Sequence, residues 1–214
     1  MTSESTRTYL PAAGYDWALP LYDPIVQLLG GDKARRILLD QAELQPGYRL
    51  LDVGCGTGTL AILSKRLYPD VGIVGIDPDP KALGRARRKA SRAAVSIQFD
   101  QGFGDELPYP EACFDRVFSS FVFHHLPSAE KGKTLRAVRR VLKPGGTFHM
   151  LDFAGPEGGS HGVLSHLLHS SKRLKENSQN QVLGLLGQAG FSEMNKVTEL
   201  TMLFGRIAYF RARA

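Results

Sequence analysis

The sequence predicts an α/β protein built on a doubly wound, mostly parallel sheet with helices on both faces. Three observations predict it. Apolar runs of strand length alternate with segments of helical periodicity from residue 48 to residue 153, the order that parallel strands joined by crossover helices require. One of those runs, Val71–Ile76, is continuously apolar, as a strand covered on both faces is. A third signal is the glycine-rich turn that ends the first run and opens at once into a helix-compatible segment.

Taken in order, Tyr48–Val53 reads as the first strand, with Asp52 near its end. Gly54, Gly56 and Gly58 follow at alternate positions, where the backbone must bend sharply and let a ligand approach; the missing Cβ permits both. Residues 58–67 read as a helix, 71–76 as the second strand ending in Asp77-Pro78, 79–93 as a helix and 95–99 as the third strand. A fourth strand is expected over 114–119. Helix 128–141 carries Leu135, Val138 and Leu142 at helical spacing, opened by Pro127-Ser128 and closed by Lys143-Pro144-Gly145-Gly146; strand 146–153 follows. Val182, Leu185, Leu186 and Ala189 repeat the helical pattern and stop at Gly190. Phe191–Val197 and Met202–Arg211 then read as a closing pair of strands.

The glycine spacing excludes two common nucleotide motifs. The dinucleotide fingerprint needs glycine at 59, where Thr59 stands. A P-loop needs Gly-Lys-Thr at its end, and Gly132-Lys133-Thr134 has Pro127 in the place of the first glycine. The remaining Gly-x-Gly-x-Gly suits a nucleoside ligand without a pyrophosphate. Asp77, about 20 residues beyond the turn and at the tip of the second strand, stands where a carboxylate can accept both hydroxyl protons of a ribose.

Composition sets the outer bounds. With 214 residues, 43% hydrophobic and 22% charged, the chain suits one α/β domain with a large core. No apolar run approaches the roughly 18 residues of a membrane span, and the N-terminus lacks the apolar core of a signal peptide. Cys55 and Cys113 are too few for a disulfide framework, which points to a reducing cytoplasm. The net charge of +6 is local: Lys81, Arg85, Arg87, Arg88, Lys89 and Arg92 crowd one helix, and Arg136, Arg139, Arg140 and Lys143 a later one. Both helices are expected on the outer layers, so these are read as solvated faces and nucleic acid is not the expected partner. The same faces would permit a peripheral contact with an anionic membrane.

Leu-Leu-Asp-Val-Gly-Cys-Gly-Thr-Gly, then Gly-Ile-Asp, then Leu-Pro-Tyr…Phe-Asp-Arg-Val, then Leu-Lys-Pro-Gly-Gly resemble the ordered motifs of Rossmann-like (class I) S-adenosylmethionine (SAM)-dependent methyltransferases. The chain is most similar to the small-molecule type that includes ubiquinone and menaquinone biosynthesis methyltransferases, over roughly residues 45–155. The resemblance implies a seven-stranded sheet whose last strand is antiparallel, SAM as cofactor and a small, rather lipophilic methyl acceptor. It divides the chain into an N-terminal helical and aromatic cap, 1–45, with Tyr9, Tyr15, Trp17 and Tyr22, and a SAM-binding domain, 46–214, with a lid-like insertion at about 154–176.

Carried onto these positions, the resemblance implies that Gly54, Cys55, Gly56 and Gly58 approach the cofactor closely. Asp52 would face its methionine ammonium, Asp77 its ribose and Pro78 its adenine, with Ser119 completing the set. After the third strand the family usually places an aspartate that takes the adenine amino group. Here Gly102-Phe103-Gly104 puts Phe103 in that position, removing a charge-assisted contact worth about 1–3 kcal/mol. Phe103 can stack on adenine instead, or Asp105 can reach it from a shifted loop.

An acceptor phenol or carbon acid needs a base, and the loop Ser119-Ser120-Phe121-Val122-Phe123-His124-His125 lies where that base would be. His124 is the expected catalytic residue, with His125 and Asp152 as further candidates. His161, His166 and His169 have partial metal-ligand spacing but no matching carboxylate or cysteine, so no metal is expected. The chain lacks an Asn/Asp-Pro-Pro-aromatic motif after the fourth strand and a Pro-Cys nucleophile, which nucleic-acid methyltransferases of this fold use. An RNA methyltransferase using the basic helices and a non-catalytic SAM-binding protein are the alternatives.

Overall fold

The computed structural model of the protein describes residues 30–154, 179–202 and 205–214. Helix α1 (Gly31–Asp40) precedes β1 (Arg49–Val53), α2 (Thr59–Leu67), β2 (Gly72–Asp77), α3 (Pro80–Arg92) and β3 (Gln98–Gln101). Then come β4 (Phe114–Ser120), a single 3-10 turn at Phe123–His125, α4 (Ser128–Val141), β5 (Leu142–Phe153), α5 (Gln179–Gln188), β6 (Ser192–Met202) and β7 (Gly205–Arg213). The strands form one seven-stranded sheet in the order β3-β2-β1-β4-β5-β7-β6. Strands β1 to β5 pair in parallel, and β7 runs antiparallel to both its neighbours, as expected for the last strand.

Alternation along each central strand sends side chains to two separate cores. Leu50, Ile73, Phe118, Leu151 and Tyr209 pack under α1, α2 and α3. Leu51, Val74, Val117, Phe148 and Phe210 pack under α4 and α5. Helix α1 belongs to the first layer: Ala34, Leu38 and Leu39 are fully buried, and the Tyr209 hydroxyl donates to the Ala34 carbonyl at 3.1 Å. The aromatic stretch at 9–22 and the residues 155–178, His161, His166 and His169 among them, lie outside the described residues.

Local chemistry explains each boundary. Asp79, not Asp77, caps α3: its side chain accepts the Lys81 N–H at 2.8 Å and Pro80 fills the first helical position. The buried face of α3 is Ala82, Leu83, Ala86 and Ala90, small enough for close approach to the sheet. Strand β3 starts later than the sequence suggests, because Ala94 turns left-handed (φ 52) and the Val95 N–H is still bonded to the Ala90 carbonyl of the helix exit. Conversely β5 starts earlier. Leu142 pairs with Phe114, a bulge follows, and Lys143-Pro144-Gly145-Gly146 lies within the strand before Thr147 pairs with Arg116.

The basic helices use many of their donors inside the fold. Arg87 donates to the Phe99 carbonyl at 2.7 Å, Lys89 to the Thr59 hydroxyl at 2.8 Å and Arg139 to the Gly190 carbonyl at 2.6 Å. Arg140 holds the Leu107 carbonyl at 2.7 Å, and Lys143 holds Asp115 at 2.8 Å. No helix among the described residues is long and apolar enough to cross a membrane.

Candidate active site

A cavity of about 400 Å³ opens at the carboxyl ends of β1, β2 and β4. This is the crevice where doubly wound sheets bind ligands, and the volume falls in the range of small-molecule sites, about 300–1,000 Å³. Asp52, Gly54, Cys55, Gly56, Asp77, Pro78, Gly102, Phe103, Gly104 and Ser119 all line it. Of the cofactor residues expected from the sequence, only Gly58 does not. Gly58 starts α2 with φ +75, and a Cβ there would lie 2.9 Å from both Ala86 and Phe99, so it serves the packing of α2 on α3 and β3. Alternate spacing in a turn cannot reveal which glycine faces the ligand and which faces the core.

The turn is held from both sides. The Gly54 and Cys55 amides donate to the Ile76 carbonyl at 2.8 and 3.1 Å, which ties the end of β1 to the end of β2. The Asp77 carboxylate accepts the Gly56 N–H at 2.8 Å on one oxygen and the Asp79 N–H at 2.9 Å on the other. Each oxygen keeps a lone pair, so Asp77 can fix the turn and still accept from a ligand. Burial pushes its carboxyl up to about 6, against the pull of those two amides.

Asp52 is 1% exposed, and its Oδ2 has no hydrogen-bond partner among the described residues. Burial pushes this carboxyl up to about 7; Arg35 and the Ala61 amide pull it down and Asp77 pushes it further up. A buried carboxylate oxygen with no donor, on a cavity wall, calls for a cation from the ligand. Gly54 approaches from the same end with φ +72, and a Cβ there would lie 2.5 Å from Val122. Gly54→Ala is therefore expected to displace Val122 from the cavity wall, losing about 1–3 kcal/mol of stability together with SAM affinity. Gly58→Ala should lose similar stability with SAM affinity largely kept; thermal melts and calorimetry on both variants check the pair.

The opposite end is formed by Gly102, Phe103, Gly104 and Asp105 from the β3–β4 loop, facing Glu130 and Thr134 of α4. Phe103 stands on the wall itself, and Asp105 reaches the same wall two residues on. Between the ends, Phe121 adopts φ 59, a costly conformation for an aromatic residue, with its N–H on the Leu151 carbonyl at 2.8 Å.

His124 is 3% exposed and is not among the residues lining this cavity; His125 is, with its ring 3.9 Å from that of His124. His124 Nδ1 lies 2.6 Å from Asp152 Oδ1, and the His124 backbone N–H donates to Asp152 Oδ2 at 3.1 Å. The imidazole and the Phe153 N–H hold the fully buried Asp152 carboxyl below its usual range. An ionised Asp152 fixes the His124 tautomer with its proton on Nδ1, leaving Nε2 as the basic nitrogen. The two residues singled out separately from the sequence are thus one buried pair.

One cavity residue carried no motif. Arg35 of α1 is 6% exposed and lines the cavity beside Asp52. Its position relative to Ala34, Leu38 and Leu39 puts it on the apolar face of α1, and a cation on such a face is the sequence signal that identifies it.

Comparison with known proteins agrees with this geometry. Residues 50–146 match the family described as a methyltransferase domain. Over 151 residues the chain is 40% identical to the demethylmenaquinone methyltransferase of Deinococcus radiodurans, covering 69% of this chain and 62% of that one. The chain spans less than two thirds of the length of the curated relatives it matches first. A SAM-dependent methyltransferase from Aquifex aeolicus shares the fold with TM-score 0.66 and 21% identity, covering 84% of this chain and 88% of that one. The cyclase SpnF shares it with TM-score 0.72 and 19% identity, covering 97% of each chain. The glycine turn, the partnerless oxygen of Asp52 and the Asp77 carboxylate fit SAM, and the chain belongs to the Rossmann-like, class I, SAM-dependent methyltransferases.

Proposed function

We propose that this protein transfers the methyl group of SAM to a small, lipophilic acceptor of the quinol or phenol type. The observation that carries the cofactor half is the buried Asp52 oxygen without a donor, in a cavity whose other carboxylate, Asp77, is locked to the glycine turn. Asp52 takes the ammonium, Asp77 the ribose diol, and Phe103 stacks on the adenine. SAM supplies an electrophilic methyl on a sulfonium. The acceptor half is supported by the relatives named demethylmenaquinone methyltransferase and by the apolar wall of Phe121, Val122, Leu126 and Pro127. Such a wall excludes water and favours a reaction that cancels charge.

A quinol or phenol must lose a proton, and the reading assigns its acceptance to His124 Nε2. Asp152, buried and ionised, holds the ring and stabilises the imidazolium that forms. His124→Gln is then expected to lower the rate of methyl transfer by about 10²–10⁴-fold with SAM affinity retained. Asp152→Asn should shift the acidic limb of the pH–rate profile. A wild-type rate in His124→Gln would make the pair structural.

The two cysteines are free, in keeping with a reducing cytoplasm. Because the cations of α3 and α4 are largely spent within the fold, nucleic acid remains outside the proposal. The direct test offers methyl-labelled SAM with a panel of reduced demethylquinones and phenols. Label in the acceptor and stoichiometric S-adenosylhomocysteine are expected; no turnover with any member overturns the acceptor class.

A further inference from the structure

Arg35 is a cation in an expensive place. It is 6% exposed, and of the five N–H donors a guanidinium carries, one hydrogen bond is made among the described residues, to Asp32 Oδ1 at a long 3.4 Å. Its Cζ lies 6.0 Å from the centroid of the Phe121 ring, which holds the guanidinium against the cavity wall. Asp52 lines the same end with a partnerless oxygen, yet no hydrogen bond joins the two side chains. Thr57 and Thr59 complete this end at the start of α2, where the helix dipole favours negative charge.

A buried cation and a buried anion that each keep unspent polar atoms, and do not satisfy one another, are complementary to a zwitterion. We infer that Arg35 and Asp52 together form an α-amino-acid receptor, in which Arg35 binds the carboxylate of the cofactor's methionine moiety while Asp52 binds its ammonium. This rests on the reading of the cavity as a SAM site and extends it to a residue outside the glycine and aspartate motifs. The consequence is specificity: the site distinguishes a whole sulfonium amino acid from a nucleoside thioether that lacks the amino-acid part. It also makes α1 part of the cofactor site.

The test uses the full chain and two ligands that share the nucleoside. S-adenosylhomocysteine carries the amino-acid end, and 5′-methylthioadenosine does not. Arg35→Met is expected to weaken S-adenosylhomocysteine by about 10–100-fold and leave 5′-methylthioadenosine unchanged, with Arg35→Lys intermediate. A parallel loss of both ligands would show that Arg35 only shapes the pocket, and unchanged S-adenosylhomocysteine affinity would show that it does not meet the cofactor; either overturns the inference. Should Arg35→Met fail to fold, the wild-type protein titrated with the carboxyl methyl ester of S-adenosylhomocysteine decides the point from the ligand side. A loss of about tenfold or more is expected there, and equal affinity for acid and ester overturns the assignment. Wild type binding neither nucleoside would instead overturn the SAM reading itself.

Discussion

Replacing Asp52 with asparagine is expected to make the protein more stable and nearly unable to bind SAM. The folded carboxyl sits at about 7, against an unfolded value of about 3.9. Between those values the unfolded chain ionises while the folded protein keeps its proton. Stability associated with this group is therefore full below about pH 4 and lost as pH rises through about 7. The asparagine side chain has no charge to bury, so the variant gains up to about 4 kcal/mol at pH 8 and little at pH 4. In a domain of this size that is about 8–16 °C in Tm. SAM affinity should fall about 100-fold, because the ammonium loses its charged partner. A stabilised variant that still bound SAM normally would remove Asp52 from the site. A variant less stable than wild type at pH 8 would contradict the burial argument.

Asp77→Ala is expected to have the second large effect, for two reasons that a paired variant separates. The substitution removes the acceptor for a ribose, and it also strips the Gly56 and Asp79 amides of their partners. Loss of at least about 100-fold in SAM affinity and about 2 kcal/mol or more of stability should follow. Asp77→Asn keeps one acceptor oxygen for the turn but loses the charge. Most of the stability should return with little of the affinity. If asparagine restored both, the carboxylate would be a turn residue and nothing more.

The parts of this fold that were legible in the sequence are those written in short-range chemistry. The glycine turn, the apolar run of β2 and the carboxylate at its tip each follow from a few consecutive residues. Boundaries failed where a longer-range partner decides them. Leu142 joins β5 because Phe114 lies opposite, and Val95 stays with α3 because Ala90 holds its amide. Gly58 looks the same as Gly54 and Gly56 in a spacing pattern, and only Ala86 and Phe99, distant in sequence, give it a different task. Likewise His124 and His125 are indistinguishable as a dipeptide. The 3-10 turn at Phe123–His125 sends one ring to Asp152 and the other to the cavity. Arg35 was hidden for another reason: it belongs to no motif, and its meaning comes from Asp52 across the fold.

The central claim is that Asp52 and Asp77 hold SAM in the crevice between β1 and β2. Calorimetric titration of the wild-type protein with SAM across pH 5.5–8, in buffers of different ionisation heat, addresses it directly. Binding at one site is predicted, weakening by up to about tenfold per pH unit below about 7 and releasing a proton as the ammonium draws Asp52 into its ionised form. Absence of binding at every pH, or an Asp77→Ala protein that binds SAM as wild type does, would contradict the account.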